Sequence, residues 1–120
     1  MNREKSILII DDNEKMLMPL LKGSLSDSGV DNILTVSDRG EAVKAIDAVD
    51  FDLIILEVNM LYGIEILKYI KKRRPKTKII VYSKCDYKTK KEAENIGIDE
   101  FISKGVPVSM ILDAVQYVLR

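Results

Sequence analysis

Histidine and tryptophan are missing from this 120-residue chain, cysteine occurs once, and basic and acidic residues balance at 19 each. Each shortage excludes something. A single cysteine, Cys85, cannot close an internal disulfide. Without histidine, neither a zinc cluster nor a histidine-based triad or general base can be assembled, so any metal must be held by oxygen. A formal net charge of zero gives no bulk attraction to nucleic acid or to an anionic membrane, and no direct nucleic-acid contact is expected. Long hydrophobic runs are absent too. The aliphatic stretch Ile7 to Ile10 is cut off by Asp11 and Asp12, and nothing elsewhere approaches a membrane span. The expectation is a soluble cytoplasmic protein with no membrane contact.

What is present is 47% hydrophobic and 32% charged sequence in the length of one domain, residues 1–120, enough to bury roughly two thirds of the unfolded surface without staples. Apolar runs of strand length recur at Ile7 to Ile10, Ile33 to Val36, Leu53 to Leu56 and Ile79 to Tyr82, with a weaker one at Phe101 and Ile102. Continuous apolarity predicts strands covered on both faces. Between them, apolar residues take helical spacing: Met16, Leu20 and Leu21; Ala42, Val43 and Ile46; Ile64, Leu67 and Ile70; Ala93 and Ile96; and Ile111, Ala114, Val115 and Val118. Asp38 with Glu41 reads as a helix cap and box, Pro107 suits the first turn of the last helix, Pro75 ends the third, and Gly97 closes the fourth. Pro19 predicts a kink in the first helix. Five βα units joined by right-handed crossovers make an α/β fold, a (βα)5 doubly wound parallel sheet, for which the flavodoxin-like order 2-1-3-4-5 is the standing example.

Ligands of such sheets bind at the carboxyl ends of the strands. There stand Asp11 and Asp12 after strand one, Glu57 after strand three, Ser83 ending strand four and Lys104 after strand five. Three carboxylates and one ammonium in one crevice repel each other unless a cation is recruited or protons are retained, and hard oxygen ligands at an open site favour Mg²⁺. Taken singly, each residue has an ordinary explanation as a helix cap or a solvated charge. Only their conjunction points to a site.

With these motifs in order, the chain resembles the receiver domain of two-component response regulators. The matching stretches are Ile7 to Asn13, Asp52 to Met60, Ile80 to Ser83 and Phe101 to Lys104, and the resemblance spans the whole chain. It implies phosphoryl transfer from a histidine kinase to the residue at position 57. Asp11, Asp12, Glu57 and the backbone carbonyl of Asn59 would hold Mg²⁺. Ser83 would donate to a phosphoryl oxygen, Lys104 would neutralise its charge, and Phe101 would be the switch aromatic. It also places a downstream partner or a homodimer contact on the α4-β5-α5 face, where Phe101 and Tyr87 are the aromatics. The chemistry is positioning and charge neutralisation rather than that of an enzyme.

The chain departs from that family at the acceptor itself, which is Glu57 rather than aspartate. One added methylene moves the carboxylate by about 1 Å or more, a misplacement that can cost roughly 10²-fold. Leu61 and Gly63 leave the following loop two residues short of the family's proline and glycine spacing. Lys84 follows Ser83 where a small residue is usual, and its ammonium is expected to narrow the entrance and pair with Glu57. Gly105, not proline, follows Lys104, so a trans peptide is expected there. Elsewhere, the lysines and arginines from Lys68 to Lys91 read as a solvated face, and Met16, Met18 and Met60 as core fillers. Cys85 beside Lys84 is either inert or a reactive thiol.

The leading expectation is therefore an atypical receiver that works as a protein-interaction module, with Glu57 fixing the state of its surface. The alternatives are a conventional Mg²⁺-dependent phosphoryl-accepting switch, in which Glu57 is tolerated or introduced by design, and a flavodoxin-like cofactor carrier or enzyme. The last would need a phosphate loop after strand one, where the chain has Asp11-Asp12-Asn13-Glu14.

Overall fold

A computed structural model describes residues 5–13, 17–27, 29–30, 32–84 and 86–120, the side chains of 17–20 excepted. Met16 and Cys85, and the side chain of Met18, therefore lie outside the described residues. Strands and helices alternate: β1 (Ser6–Ile10), α1 (Leu17–Asp27), β2 (Asn32–Val36), α2 (Arg39–Ala48), β3 (Leu53–Leu56), α3 (Gly63–Arg73), β4 (Lys78–Ser83), α4 (Tyr87–Ile96), β5 (Glu100–Ser103) and α5 (Val108–Val118). The strands are all parallel, in the order β2-β1-β3-β4-β5.

Side chains on a strand alternate between faces, and the core divides accordingly. Leu8, Ile10, Ile54, Leu56, Ile79 and Val81 face one side and pack under Ala42 and Ile46 of α2, Leu67 and Ile70 of α3, and Ala93 of α4. Ile7, Ile9, Leu53, Ile55, Ile80 and Tyr82 face the other, against Leu21 and Leu25 of α1 and Ile111 and Val115 of α5. Each such aliphatic side chain contributes about 1.5–3 kcal/mol by leaving water. Coverage on both faces holds for β1 and β3 but not for β2, an edge strand whose Leu34 is 44% exposed. An edge strand need not be apolar throughout, and Thr35 and Asn32 interrupt its run.

The predicted punctuation recurs with small shifts. Asp38 caps α2, accepting the Glu41 N–H at 2.8 Å, while the Glu41 carboxylate accepts the Ser37 N–H and hydroxyl at 3.1 Å rather than the cap residue's own N–H. Pro107 is the residue before α5 rather than its first, and Gly97 closes α4 with a φ of 114°. Pro19 lies within the described part of α1, which continues to Asp27.

Candidate functional site

Three side chains at the carboxyl edge are set by one rule. The parallel ladder runs a single step past each strand. The Asp11 N–H donates to Val36 O at 3.1 Å, the Glu57 N–H to Ile10 O at 2.9 Å, and the Lys104 N–H to Ser83 O at 2.7 Å. Each residue just beyond β1, β3 or β5 is thereby pinned to the neighbouring strand, and its side chain projects over the sheet edge. Ser83 ends β4 opposite Ser103, which puts its hydroxyl beside the root of Lys104.

The result is an ion pair at the bottom of the crevice. Lys104 Nζ lies 3.1 Å from Glu57 Oε1, with the glutamate side chain 4% exposed and the lysine 27%. The Lys104 ammonium is also 5.8 Å from the centre of the buried Tyr82 ring, within the range of cation–π attraction. Glu57 Oε2 is buried with no hydrogen-bond partner. Asp11 is buried beside it, and one of its oxygens accepts the Asn13 N–H at 2.9 Å.

Burial is the largest influence on both acids. It raises the Asp11 carboxyl above its ordinary value against the opposing pull of the Asn13 N–H and Lys104, and it raises Glu57 despite the hydrogen bond and charge of Lys104. Burial alone would push the Lys104 ammonium down, but the hydrogen bond and charge of Glu57 together leave it raised. The asymmetry follows from exposure. The glutamate loses nearly all its water while the lysine keeps some, so one cation does not fully offset two buried carboxylates.

Asp12 stands at the rim of the crevice, near enough for its charge to raise Asp11. It is exposed and lines a neighbouring cleft of about 390 Å³ with Arg39, Met60 and Tyr62. Among the described residues no three acidic side chains stand at metal-holding spacing. Glu57 Oε2, an orphaned anionic oxygen, and the adjacent Asp11 carboxylate nevertheless have the donor chemistry of a hard divalent cation.

Asn59 was expected to act through its backbone. Its side chain is what the structure brings into play: Oδ1 accepts the Ser83 hydroxyl and also the Lys84 N–H, the latter at 3.1 Å. An amide two residues beyond the acceptor was the available signal. Lys84 itself is exposed and forms no ion pair with Glu57, because its backbone turns in to Asn59 while the Glu57 oxygen is already taken by Lys104. Phe101 is half-buried on β5, packed against the α3 and α4 side of the core, with the Lys90 ammonium 5.7 Å from its ring centre. Tyr87, at the start of α4, is 77% exposed. The Lys104–Gly105 peptide is trans.

The short loop after β3 depends on Gly63. Its N–H donates to Met60 O at 2.9 Å, and a Cβ there would stand 2.2 Å from Val58 O. Backbone lies against backbone at that point, where the chain turns from the Asn59 loop into α3.

A family model for the response regulator receiver domain matches residues 7–116. The chain is 31% identical over 119 residues to the alkaline phosphatase synthesis transcriptional regulatory protein PhoP of Bacillus subtilis (strain 168), covering 97% of this chain and 49% of that protein. It thus spans about half the length of the curated relatives it matches. Among solved structures, the CheY-like receiver domain protein from Methanospirillum hungatei JF-1 superposes with a TM-score of 0.89 at 26% identity, over 98% of this chain and 94% of that one. The NtrX receiver domain from Brucella abortus gives 0.86 at 27%, over 95% and 98%. A response regulator from Burkholderia pseudomallei, with a TM-score of 0.83 and 26% identity over 93% of this chain and 66% of that one, was solved with a phosphorylated aspartic acid, a calcium ion and citrate. Sheet order, strand-end chemistry and these likenesses agree: the chain belongs to the response regulator receiver domain family of two-component signalling.

Proposed function

We propose that this receiver is atypical: a cytoplasmic protein-interaction module whose surface is held in one state by Glu57 instead of being switched by phosphorylation. One observation carries the reading. The three donors that a phosphoryl group would need are already satisfied from within, Lys104 by Glu57 Oε1, and the Ser83 hydroxyl and Lys84 N–H by Asn59 Oδ1. A phosphoryl group brings about −1.5 to −2 charges and three acceptor oxygens. It would have to displace both internal acceptors, and it would do so beside two buried carboxylates.

Asp11, Asp12, Glu57 and the Asn59 carbonyl would hold Mg²⁺, and the ion would supply charge neutralisation at the crevice. This chain's own residues do the rest. Lys104 draws the Glu57 carboxylate toward β5, Asn59 ties the β3–α3 loop to β4, and together they fix the loops that frame the crevice. The partner is a histidine kinase or a downstream protein. The face of α4, β5 and α5 is proposed for docking or for pairing with a second copy, supported by the exposure there of Tyr87, Met110 and Tyr117. Membership in the receiver family sets aside the flavin-carrier alternative.

Mass spectrometry after treatment with a small phosphodonor, with and without Mg²⁺, tests the reading on the native chain and Glu57→Asp side by side. The native chain is expected to gain no phosphoryl group and the variant to gain one that depends on Mg²⁺. A Mg²⁺-dependent phosphoryl adduct on Glu57 itself overturns the proposal and establishes the conventional switch.

A further inference from the structure

We propose that the cleft at the opposite, N-terminal edge of the sheet is a binding site for a small multivalent anion of the diphosphate class. The cleft holds about 480 Å³ and forms where Lys5 enters β1, residues 50–52 lead into β3, residues 76–78 lead into β4, and α5 ends at residues 118–120. In a parallel sheet all these segments meet at one edge, so side chains distant in sequence face a common space.

Basic side chains outnumber acidic ones in it. Lys5, Lys76, Lys78 and Arg120 line it against Asp50 and Asp52. Asp52 is committed to the fold, accepting the Ser6 N–H at 2.8 Å and the Ser6 hydroxyl at 3.2 Å. Lys78 approaches Asp99 only at 3.9 Å, and Lys5 and Lys76 take part in none of the ion pairs among the described residues. The Arg120 guanidinium rests 5.8 Å from the Tyr117 ring centre, which leaves its donors free for an acceptor.

A second, independent observation points to a ligand. Thr77 stands between Lys76 and Lys78, is only 7% exposed, and its Oγ1 has no hydrogen-bond partner. Buried hydroxyls are nearly always paired, and an orphan in a native fold calls for a missing partner. Thr77 lines the cationic cleft while its Oγ1 itself lies covered, so a ligand there meets the hydroxyl only after χ1 turns it to another staggered position. An acceptor oxygen among the lysines would satisfy the hydroxyl and the ammonium groups at once. Phe51, Val118 and Leu119 form an apolar wall, which lowers the local dielectric and strengthens charge pairing. The cations come from separate segments across a space larger than a single phosphate fills, which favours two linked anionic groups over one.

The test titrates the full chain with inorganic pyrophosphate at constant ionic strength and follows backbone amide shifts by NMR. Saturable shifts are expected at residues 50–52, 76–78 and 118–120. The double variant Lys5→Glu/Lys76→Glu is expected to weaken binding at least tenfold. Thr77→Val, which removes the orphan hydroxyl without changing shape, is expected to weaken it severalfold while the variant's free spectrum stays native. Shifts confined to Ser83 and Lys104, equal shifts from sodium chloride, unchanged affinity in the double variant, or tighter binding of an acidic hexapeptide than of pyrophosphate would each overturn the assignment.

Discussion

Replacing Lys104 by methionine keeps the length of the side chain and removes its charge, so it isolates the electrostatic role of the Glu57 pair. At 3.1 Å and an effective dielectric constant of about 20, the gross attraction is about 5 kcal/mol. Part of that offsets desolvation, and Lys104 is itself partly solvated. Breaking a buried pair by removing one partner costs about 3–5 kcal/mol, and the lower end, about 3 kcal/mol, is expected here. The loss must depend on pH. Glu57 is raised above its ordinary value chiefly by burial, with Lys104 opposing the rise. For an acid raised by folding, the ionised form is penalised. The penalty is present above the folded-state pKa and disappears as pH falls through it. Deleting Lys104 raises Glu57 further, and Asp11 with it, since Lys104 opposes that shift too. Lys104→Met should therefore be most destabilising near pH 8 and progressively less so toward pH 5, by at most about 1.4 kcal/mol per pH unit for each carboxyl. Urea denaturation followed by circular dichroism at both pH values measures this, with Glu57→Gln and the double variant closing a thermodynamic cycle. In the Glu57→Gln background the same lysine substitution should cost under about 1 kcal/mol, the level of an unpaired surface charge. An equal loss at pH 5 and pH 8, or in both backgrounds, would refute the view that Lys104 acts mainly by neutralising buried acid.

Gly63→Ala should destabilise the fold by about 1–3 kcal/mol, as overpacking does, since the new methyl meets the Val58 backbone and not a side chain that can turn away; a neutral result in urea would mean the loop relaxes freely. Asn59→Ala strips the acceptor from the fully buried Ser83 hydroxyl and should cost about 1–3 kcal/mol, with Ser83→Ala in that background restoring part of the loss. Asp38→Ala removes the cap of α2 and should lower stability by about 1 kcal/mol, read as a shift in urea midpoint with an unchanged slope.

Strand existence and order were legible because β1, β3 and β4 are buried through most of their length, and burial on both faces leaves unbroken aliphatic runs such as Ile7 to Ile10 and Leu53 to Leu56. The same reasoning reached the strand-end residues Asp11, Glu57, Ser83 and Lys104, since their positions follow from strand length alone. It did not reach how they pair. Whether Lys84 or Lys104 meets Glu57 depends on which residue the ladder's last step pins, and that is a matter of register. Asn59 reaching Ser83 depends on the path of the loop after β3, which leaves no periodic trace. β2 was overread for a related reason: Leu34 carries the signature of burial, but at a sheet edge that signature is not enforced.

Two buried polar oxygens without partners, Glu57 Oε2 and Thr77 Oγ1, stand at opposite ends of the same sheet, and their chemistry differs in a way that orders the two sites. Glu57 Oε2 is an anionic acceptor near Asp11, while Lys104 is paired with Glu57 Oε1. As folded, the one Lys104 ammonium does not offset both buried carboxylates, so that end should favour a proton or a divalent cation and resist an added anion. The Thr77 hydroxyl can donate, and the cleft it lines has more basic than acidic side chains, so that end favours an added anion. Parallel strands bring every carboxyl end to one edge and every amino end to the other, which permits two such sites of opposite demand in a chain whose total charge is zero. A neutral composition therefore does not describe the surface a ligand meets. A shortage of anion where the family's phosphoryl group would attach would have left Ser83 or Lys104 as an orphan donor, yet among the described residues the unpaired buried side-chain atom at that end is an acceptor.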